Sequence, residues 1–243
     1  MLRPELVRDL FGYGVQLYVP AVVQYLHYRL DVLLVAGFLS PREVGLYSLA
    51  VTLAELLRRV PGAVSPLLFP RVARLPDRQG MALTLSSCRH VSFLLILLAL
   101  PFALGVGFVV TPLLGARYEG LRAPALALLP GIVAVGIVQL LILHFFARGR
   151  PGLVLGSVSV GLAANLALNL LWIPRWGILG AALASTASYG LCAALLVMVL
   201  LAREDARLRD VFVLRRGDWR VYADLWRRRS WRGAAAPGGR EAA

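Results

Sequence analysis

Residues 91–115 read VSFLLILLALPFALGVGFVVTPLLG, a run of 25 residues without a single charged side chain. At about 1.5 Å per residue, a helix of this length crosses a hydrocarbon core that is about 30 Å thick. Strands of a membrane barrel need only about ten residues with alternating polarity, and this run is apolar throughout. The stretch therefore predicts a membrane-spanning helix.

The same pattern recurs along the chain. Apolar residues make up 59% of the 243 positions and charged residues 16%, whereas soluble domains carry about 25% charged residues. We mark six apolar runs: 10–39, 44–70, 91–115, 123–147, 152–173 and 177–202. A polar connection over residues 71–90 separates the second run from the third. The sequence predicts an all-α integral membrane bundle of six transmembrane helices in residues 1–202, followed by a basic tail, 203–243.

The basic residues indicate how the bundle is oriented. All 26 are arginines, and the net charge is +13. If the N-terminus is cytoplasmic, nineteen arginines fall on the inner side and four on the outer side. Positive charge favours the cytoplasmic side, so both termini are predicted to be cytoplasmic. A soluble protein with this charge would suggest nucleic-acid binding, but a membrane bundle with this distribution does not.

Charged side chains also occur inside the first two predicted spans. Arg29 and Asp31 lie in the first, and Glu55, Arg58 and Arg59 in the second. A charge near mid-bilayer costs about 3 kcal/mol on insertion scales. Such residues commonly mark a substrate or ion route, so these five are the candidate cavity residues. A structural ion pair within the bundle is the alternative.

Small and polar residues form stripes on the last two predicted spans. Residues four apart share one helix face, and small residues there let backbones approach while asparagines hydrogen-bond across the contact. We therefore predict a helix-packing role, and not substrate binding, for Gly161, Asn165, Asn169, Gly180, Ala184 and Ser188.

Enzymatic motifs are missing from the sequence. It has no HExxH, no glycine-rich phosphate loop and no GxSxG elbow, and Cys88 and Cys192 lack metal-site spacing. We expect no enzyme activity, no metal and no cofactor. In the tail, Trp219, Tyr222 and Trp226 alternate with arginines, which predicts an amphipathic helix on the anionic inner leaflet and a partly disordered end.

Two separated motifs resemble one transporter family. The segment YRLDVLLVAGFLSPREVGLYSLAVTLAELLRRVPGAVSPLLFPRVAR (28–74) and the segment NLALNLLWIPRWGILGAALASTASYG (165–190) are similar to oligosaccharide and polysaccharide flippases of the O-antigen exporter type. These belong to the superfamily that also holds the multidrug and toxin extrusion transporters. The similarity covers residues 10–202, which resemble the second, C-terminal bundle of a two-bundle flippase.

The resemblance implies export of a lipid-linked oligosaccharide for cell-surface polysaccharide biosynthesis, in the cell (inner) membrane. Its expected partners are membrane lipids, the lipid-linked oligosaccharide and a second six-helix bundle, which is either a separate N-terminal half or another copy of this chain. Arg29, Asp31, Glu55 and Arg58 fall where such a bundle faces its cavity, and arginine suits a phosphate group. The alternatives are another exporter of the superfamily, such as a peptidoglycan-precursor flippase or a drug–cation antiporter, and a non-transporting membrane scaffold.

Overall fold

The computed structural model describes residues 4–110, 113, 115–203 and 211. Every secondary-structure element in this part of the chain is helical. Helix α1 spans Pro4–Phe38, α2 Pro41–Arg74, α3 Asp77–Gly105, α4 Arg122–Ala147 and α5 Pro151–Arg203. A π-helical turn, Val106–Val110, continues α3, and a 3-10 segment, Ala116–Leu121, leads into α4.

Three helical stretches are long and apolar enough to cross a membrane: Asp77–Phe108, Tyr118–Ala147 and Pro151–Ala202. Helices α1 and α2 have sufficient length but contain the charged residues of the candidate cavity. The chain is therefore a multi-pass, all-helical membrane protein in the part that the structure describes, as the apolar runs predicted.

Helix α5 reverses direction at Gly177. This residue has φ 56° and ψ −138°, a backbone conformation that favours glycine. Residues 151–176, before the reversal, form α5a, and residues 178–203, after it, form α5b. Residues of α5a lie against residues of α5b in antiparallel order. A Cβ atom on Gly161 would lie 3.1 Å from Cys192 Cβ, and one on Gly180 would meet the Trp172 carbonyl. The two parts thus form a hairpin whose turn falls between the fifth and sixth predicted spans.

The predicted polar connection over residues 71–90 is almost entirely helical. Only Leu75 and Pro76 separate α2 from α3, and residues 77–90 are helical. This helical segment is amphipathic. Gly80, Met81, Thr84, Leu85 and Cys88 are buried at helical spacing, whereas residues 77–79 are exposed. The charged residues Asp77 and Arg78 lie on the exposed face of this segment's first turn.

The packing of the helices leaves one polar cleft. Helix α1 packs mainly on α5, while α2 and α3 pack on α4, and α4 packs on α5. Helices α1 and α2 share fewer contacts with each other, so a cavity opens between them. The tail prediction lies outside the described residues, except that Val211 is buried in the core.

Candidate functional site

A polar cavity lies between α1, α2 and α4 and has a volume of about 610 Å³. The lining residues of each helix lie on one face of it. On α1, Pro20, Gln24 and Tyr28 are one turn apart, and along α2 and along α4 lining residues recur at intervals of three or four positions. The polar and aromatic lining consists of Gln24, Tyr25, Tyr28, Thr52, Glu55, Arg58, Arg59, Gln139 and Phe146. Ligand pockets commonly have about this size.

Glu55 pairs with two of the predicted arginines. Its Oε2 lies 3.4 Å from Arg29 Nη2 on α1, and its Oε1 lies 3.3 Å from Arg58 Nη2 on its own helix. The Arg58 guanidinium also lies 4.7 Å above the centre of the Tyr28 ring. One carboxylate therefore joins α1 to α2 beside the cavity, with a cation–π contact on the cavity side.

Arg59 differs from its neighbour. Its side chain lines the cavity and is exposed, and it forms no ion pair within the described residues. Arg58 and Arg59 line the cavity together with one carboxylate, Glu55, so the described lining has more positive than negative charge. This arrangement suits an anionic ligand, whose oxygens a planar guanidinium can bind in pairs.

Asp31 does not line the large cavity. It is 1% exposed and accepts hydrogen bonds from the Tyr47 hydroxyl at 2.6 Å, the Ser185 hydroxyl at 2.8 Å and the Val32 amide at 2.7 Å. It borders a space of about 20 Å³ that also touches Glu55 and Arg58. Of the five predicted cavity residues, Glu55, Arg58 and Arg59 line the cavity, while Arg29 reaches it only through Glu55.

A buried hydrogen-bond network continues from Asp31 into the α5 hairpin. The Asn165 amide donates to Ser188 Oγ at 3.0 Å and to Ser185 Oγ at 3.4 Å, and His27 Nε2 lies 3.1 Å from Ser188 Oγ. Gly161 provides the room for this contact, since a Cβ there would lie 2.8 Å from His27 Cε1. The network ties α1 to both parts of α5.

Most of the residues predicted to pack helices lie in this network or beside it. Asn165, Asn169, Ala184 and Ser188 are fully buried, and Asn169 donates to Asn165 Oδ1 at 3.0 Å. These contacts support a packing role for the predicted stripe. The sequence analysis did not identify Tyr47 and Ser185 as members of this network. The available signal was that His27 and Asp31, four residues apart, place two polar groups on one face of α1.

Comparison with known proteins agrees with this fold. Residues 2–122 match the family model described as polysaccharide biosynthesis protein. A relative in Haloferax volcanii, described as a probable low-salt glycan biosynthesis flippase, Agl15, is 25% identical over 189 residues. That alignment covers 75% of this chain and 39% of the relative.

Solved transporter structures share the helical arrangement. A crystal structure of MATE in complex with Br-NRF has a TM-score of 0.62 at 19% identity, covering 87% of this chain and 52% of that one. A MOP superfamily transporter from Pyrococcus furiosus has a TM-score of 0.56 at 19% identity, covering 84% of this chain and 48% of that one. The chain thus spans about half the length of these structures, and less of the flippase relative. The family model over residues 2–122, the flippase relative and the shared helical fold together support assignment of the chain to the polysaccharide flippase and MOP exporter family.

Proposed function

We propose that this chain is one bundle, the C-terminal one, of a transporter that moves a lipid-linked oligosaccharide across the cell membrane for surface polysaccharide biosynthesis. The bundle crosses the membrane six times, with both termini in the cytoplasm, and faces a second six-helix bundle across the α1–α2–α4 cavity. The coverage of about half of each solved relative supports this two-bundle arrangement.

The observation that carries the proposal is Arg59 at the wall of a cavity of about 610 Å³, with no ion pair to any other described residue. A lipid-linked oligosaccharide has a phosphate or diphosphate between its lipid and its sugars, and arginine binds phosphate oxygens in a bidentate manner. Arg58 provides a second cation whose charge Glu55 partly balances. The ligand must also be released on the other side of the membrane, so its affinity must be moderate. Partial neutralisation of Arg58 by Glu55 lowers the affinity for an anion.

The charge of the lining also favours this substrate over a cationic drug. Within the described residues, two arginines and one carboxylate line the cavity, and that carboxylate contacts Arg29 and Arg58. An organic cation would meet like charge there. A peptidoglycan-precursor flippase has the same phosphate chemistry, so the identity of the sugar distinguishes the two exporters.

The proposal is tested by complementation in the source organism. Deletion of the gene should leave lipid-linked oligosaccharide on the cytoplasmic leaflet, where an added membrane-impermeant glycosidase cannot cut it. The variant Arg59→Gln should reduce export at a normal protein level, and the double variant Arg58→Gln, Arg59→Gln should fail to restore export beyond what any loss of protein explains. Arg175→Gln is the matched control, because Arg175 is exposed and, within the described residues, bonds only the Leu171 carbonyl of its own helix. Full export by the double variant would refute the assignment.

A further inference from the structure

Two contacts hold Arg58, and they differ in what they leave for a ligand. Glu55 Oε1 lies 3.3 Å from Arg58 Nη2 and neutralises part of its charge. The ring of Tyr28, whose centre lies 4.7 Å from the guanidinium carbon, attracts the cation without adding a negative charge. Tyr28 and Arg58 both line the cavity. The ring therefore fixes Arg58 at the cavity wall and leaves its positive charge available to an anion.

The Tyr28 ring is supported in turn from a helix that does not line the cavity. Tyr189, on α5b, packs against it with the ring centres 5.5 Å apart and the ring planes at 78°. Aromatic pairs favour this T-shaped arrangement at centre distances of about 4.5–7 Å. The attraction depends on the angle between the rings, so Tyr189 constrains the tilt of the Tyr28 ring as well as its position.

Tyr189 itself is held from two sides. It is 6% exposed, and its ring centre lies 5.0 Å from that of His27 on α1. On α4, a Cβ atom on Gly131 would lie 3.2 Å from Tyr189 Cδ2, so the glycine makes room for the ring. Tyr189 borders the space of about 20 Å³ beside Asp31 and not the cavity of about 610 Å³. A ligand in the larger cavity therefore does not touch Tyr189.

We propose that Tyr189 is a positioning residue of the anion site, because it holds the Tyr28 ring in the orientation that keeps Arg58 at the cavity wall. This inference rests on the proposed function and extends it, since it makes phosphate affinity depend on a residue that the ligand does not touch. The contacts run from α5b through α1 to α2. The position of α5b relative to α1 therefore sets how tightly the site binds its anion.

The test measures the binding of inorganic phosphate to the purified full chain in detergent by calorimetry. Arginines outside the cavity contribute the same background to every variant, so differences between variants report on the site. Tyr189→Leu removes the ring and should weaken phosphate binding about three- to tenfold, the factor expected when a cation–π contact is lost. Tyr189→Phe keeps the ring and should bind phosphate as the wild type does. Tyr189→Met fills more of the same space and replaces the leucine variant if that protein does not fold.

A double-mutant cycle separates positioning from general damage to the bundle. In the Arg58→Gln background, Tyr189→Leu should cause no further loss of phosphate affinity, because its effect passes through Arg58. In the Arg59→Gln background, the loss should keep its full factor. Leu196→Ala is the matched control, since Leu196 is fully buried on α5b and does not line the cavity. It should lower the melting temperature and leave phosphate affinity unchanged.

The outcomes separate this inference from the anion site itself. If phosphate binds and Arg59→Gln weakens its binding, but the Tyr189 variants without a ring bind phosphate as the wild type does, the positioning role is refuted and the anion site stands. An equal loss from Tyr189→Leu in the wild-type and Arg58→Gln backgrounds also refutes it, because the effect would then not pass through Arg58. If the wild type binds no phosphate, the anion site falls and the positioning role falls with it.

Discussion

The Tyr47 hydroxyl donates a 2.6 Å hydrogen bond to Asp31 Oδ2, and both side chains are buried between α1 and α2. Ser185 donates to the same oxygen from α5b. A carboxyl group in this position is tolerable in a membrane bundle only because its oxygens have partners. The pair, together with Ser185, therefore links α1 to α2 and α5.

Removal of one partner should be costly. We expect Tyr47→Phe to destabilise the protein by about 1–3 kcal/mol, the cost of leaving a buried polar group without its partner, and to lower its melting temperature in detergent. Asp31→Asn in the Tyr47→Phe background should cost less than in the wild type, because the two residues share one bond. Additive losses in this double-mutant cycle would contradict the coupling. Thr52→Val is the control, because the Thr52 hydroxyl bonds the Ser48 carbonyl of its own helix.

Arg148 should stabilise the turn between α2 and α3. Its guanidinium donates to the carbonyls of Leu75, Pro76 and Asp77, and its Nη1 lies 2.9 Å from Asp77 Oδ1. The Asp77 side chain is 84% exposed, so we assign little stability to the ion pair and most to the carbonyl contacts. Arg148→Ala should cost about 2 kcal/mol and Asp77→Asn less than about 1 kcal/mol.

The controls for this turn use neighbouring positions. Arg150→Ala should be neutral, because the Arg150 side chain is exposed. Gly80→Ala should mimic Arg148→Ala, since a Cβ on Gly80 would displace Arg148 Nη2. Equal melting temperatures for Arg148→Ala and Arg150→Ala would show that the carbonyl contacts add nothing.

Arg58 and Arg59 should separate into structural and binding roles. Arg58→Gln removes an ion pair with Glu55 and the contact with the Tyr28 ring, so it should lower both stability and phosphate affinity. Arg59→Gln should reduce phosphate affinity about tenfold at an unchanged melting temperature, because Arg59 has no ion pair to lose in the described chain. A stability loss in Arg59→Gln would reveal a structural role instead.

Gly161 should be intolerant of any side chain. A Cβ there would lie 2.8 Å from His27 Cε1 and 3.1 Å from Cys192 Cβ, so Gly161→Ala should cost about 1–3 kcal/mol by overpacking. Gly156, on the same helix part, has open space at the corresponding position. Gly156→Ala should be neutral or stabilising by up to about 1 kcal/mol, through helix propensity. Equal melting temperatures for the two variants would exclude close packing at Gly161.

The long apolar runs and their helical state could be predicted from the sequence, because a run such as 91–115 has one physical solution in a membrane. The helical state of residues 77–90 was not apparent from their polarity, because Asp77 and Arg78 are exposed whereas the charged Arg89 is buried in the bundle. At the site, Glu55, Arg58 and Arg59 follow from helical spacing. The burial of Asp31 depends on Ser185, which is 154 residues away, and no local pattern contains that contact.

The start of α2 should confer a pH-dependent part of the stability. Ser40 and Glu43 form a capping box: the Glu43 amide donates to Ser40 Oγ, while Glu43 Oε2 accepts from the Ser40 amide at 3.0 Å and its hydroxyl at 2.8 Å. These bonds from Ser40 lower the pKa of Glu43 below its ordinary value. The stabilisation is therefore complete above the ordinary glutamate pKa of about 4.3 and is lost as pH falls through the lower, folded-state pKa.

We expect Ser40→Ala to cost about 1 kcal/mol at pH 7. Glu43→Gln should lose less than that at pH 7, because an amide oxygen can still accept the Ser40 bonds. The measurement is the melting temperature of each protein at pH 7, 5 and 4. The stability difference between wild type and Glu43→Gln should shrink on acidification, because only the wild type loses a negative charge from the first helical turn. A difference that stays constant down to pH 4 would show that the Glu43 charge does not stabilise the start of α2.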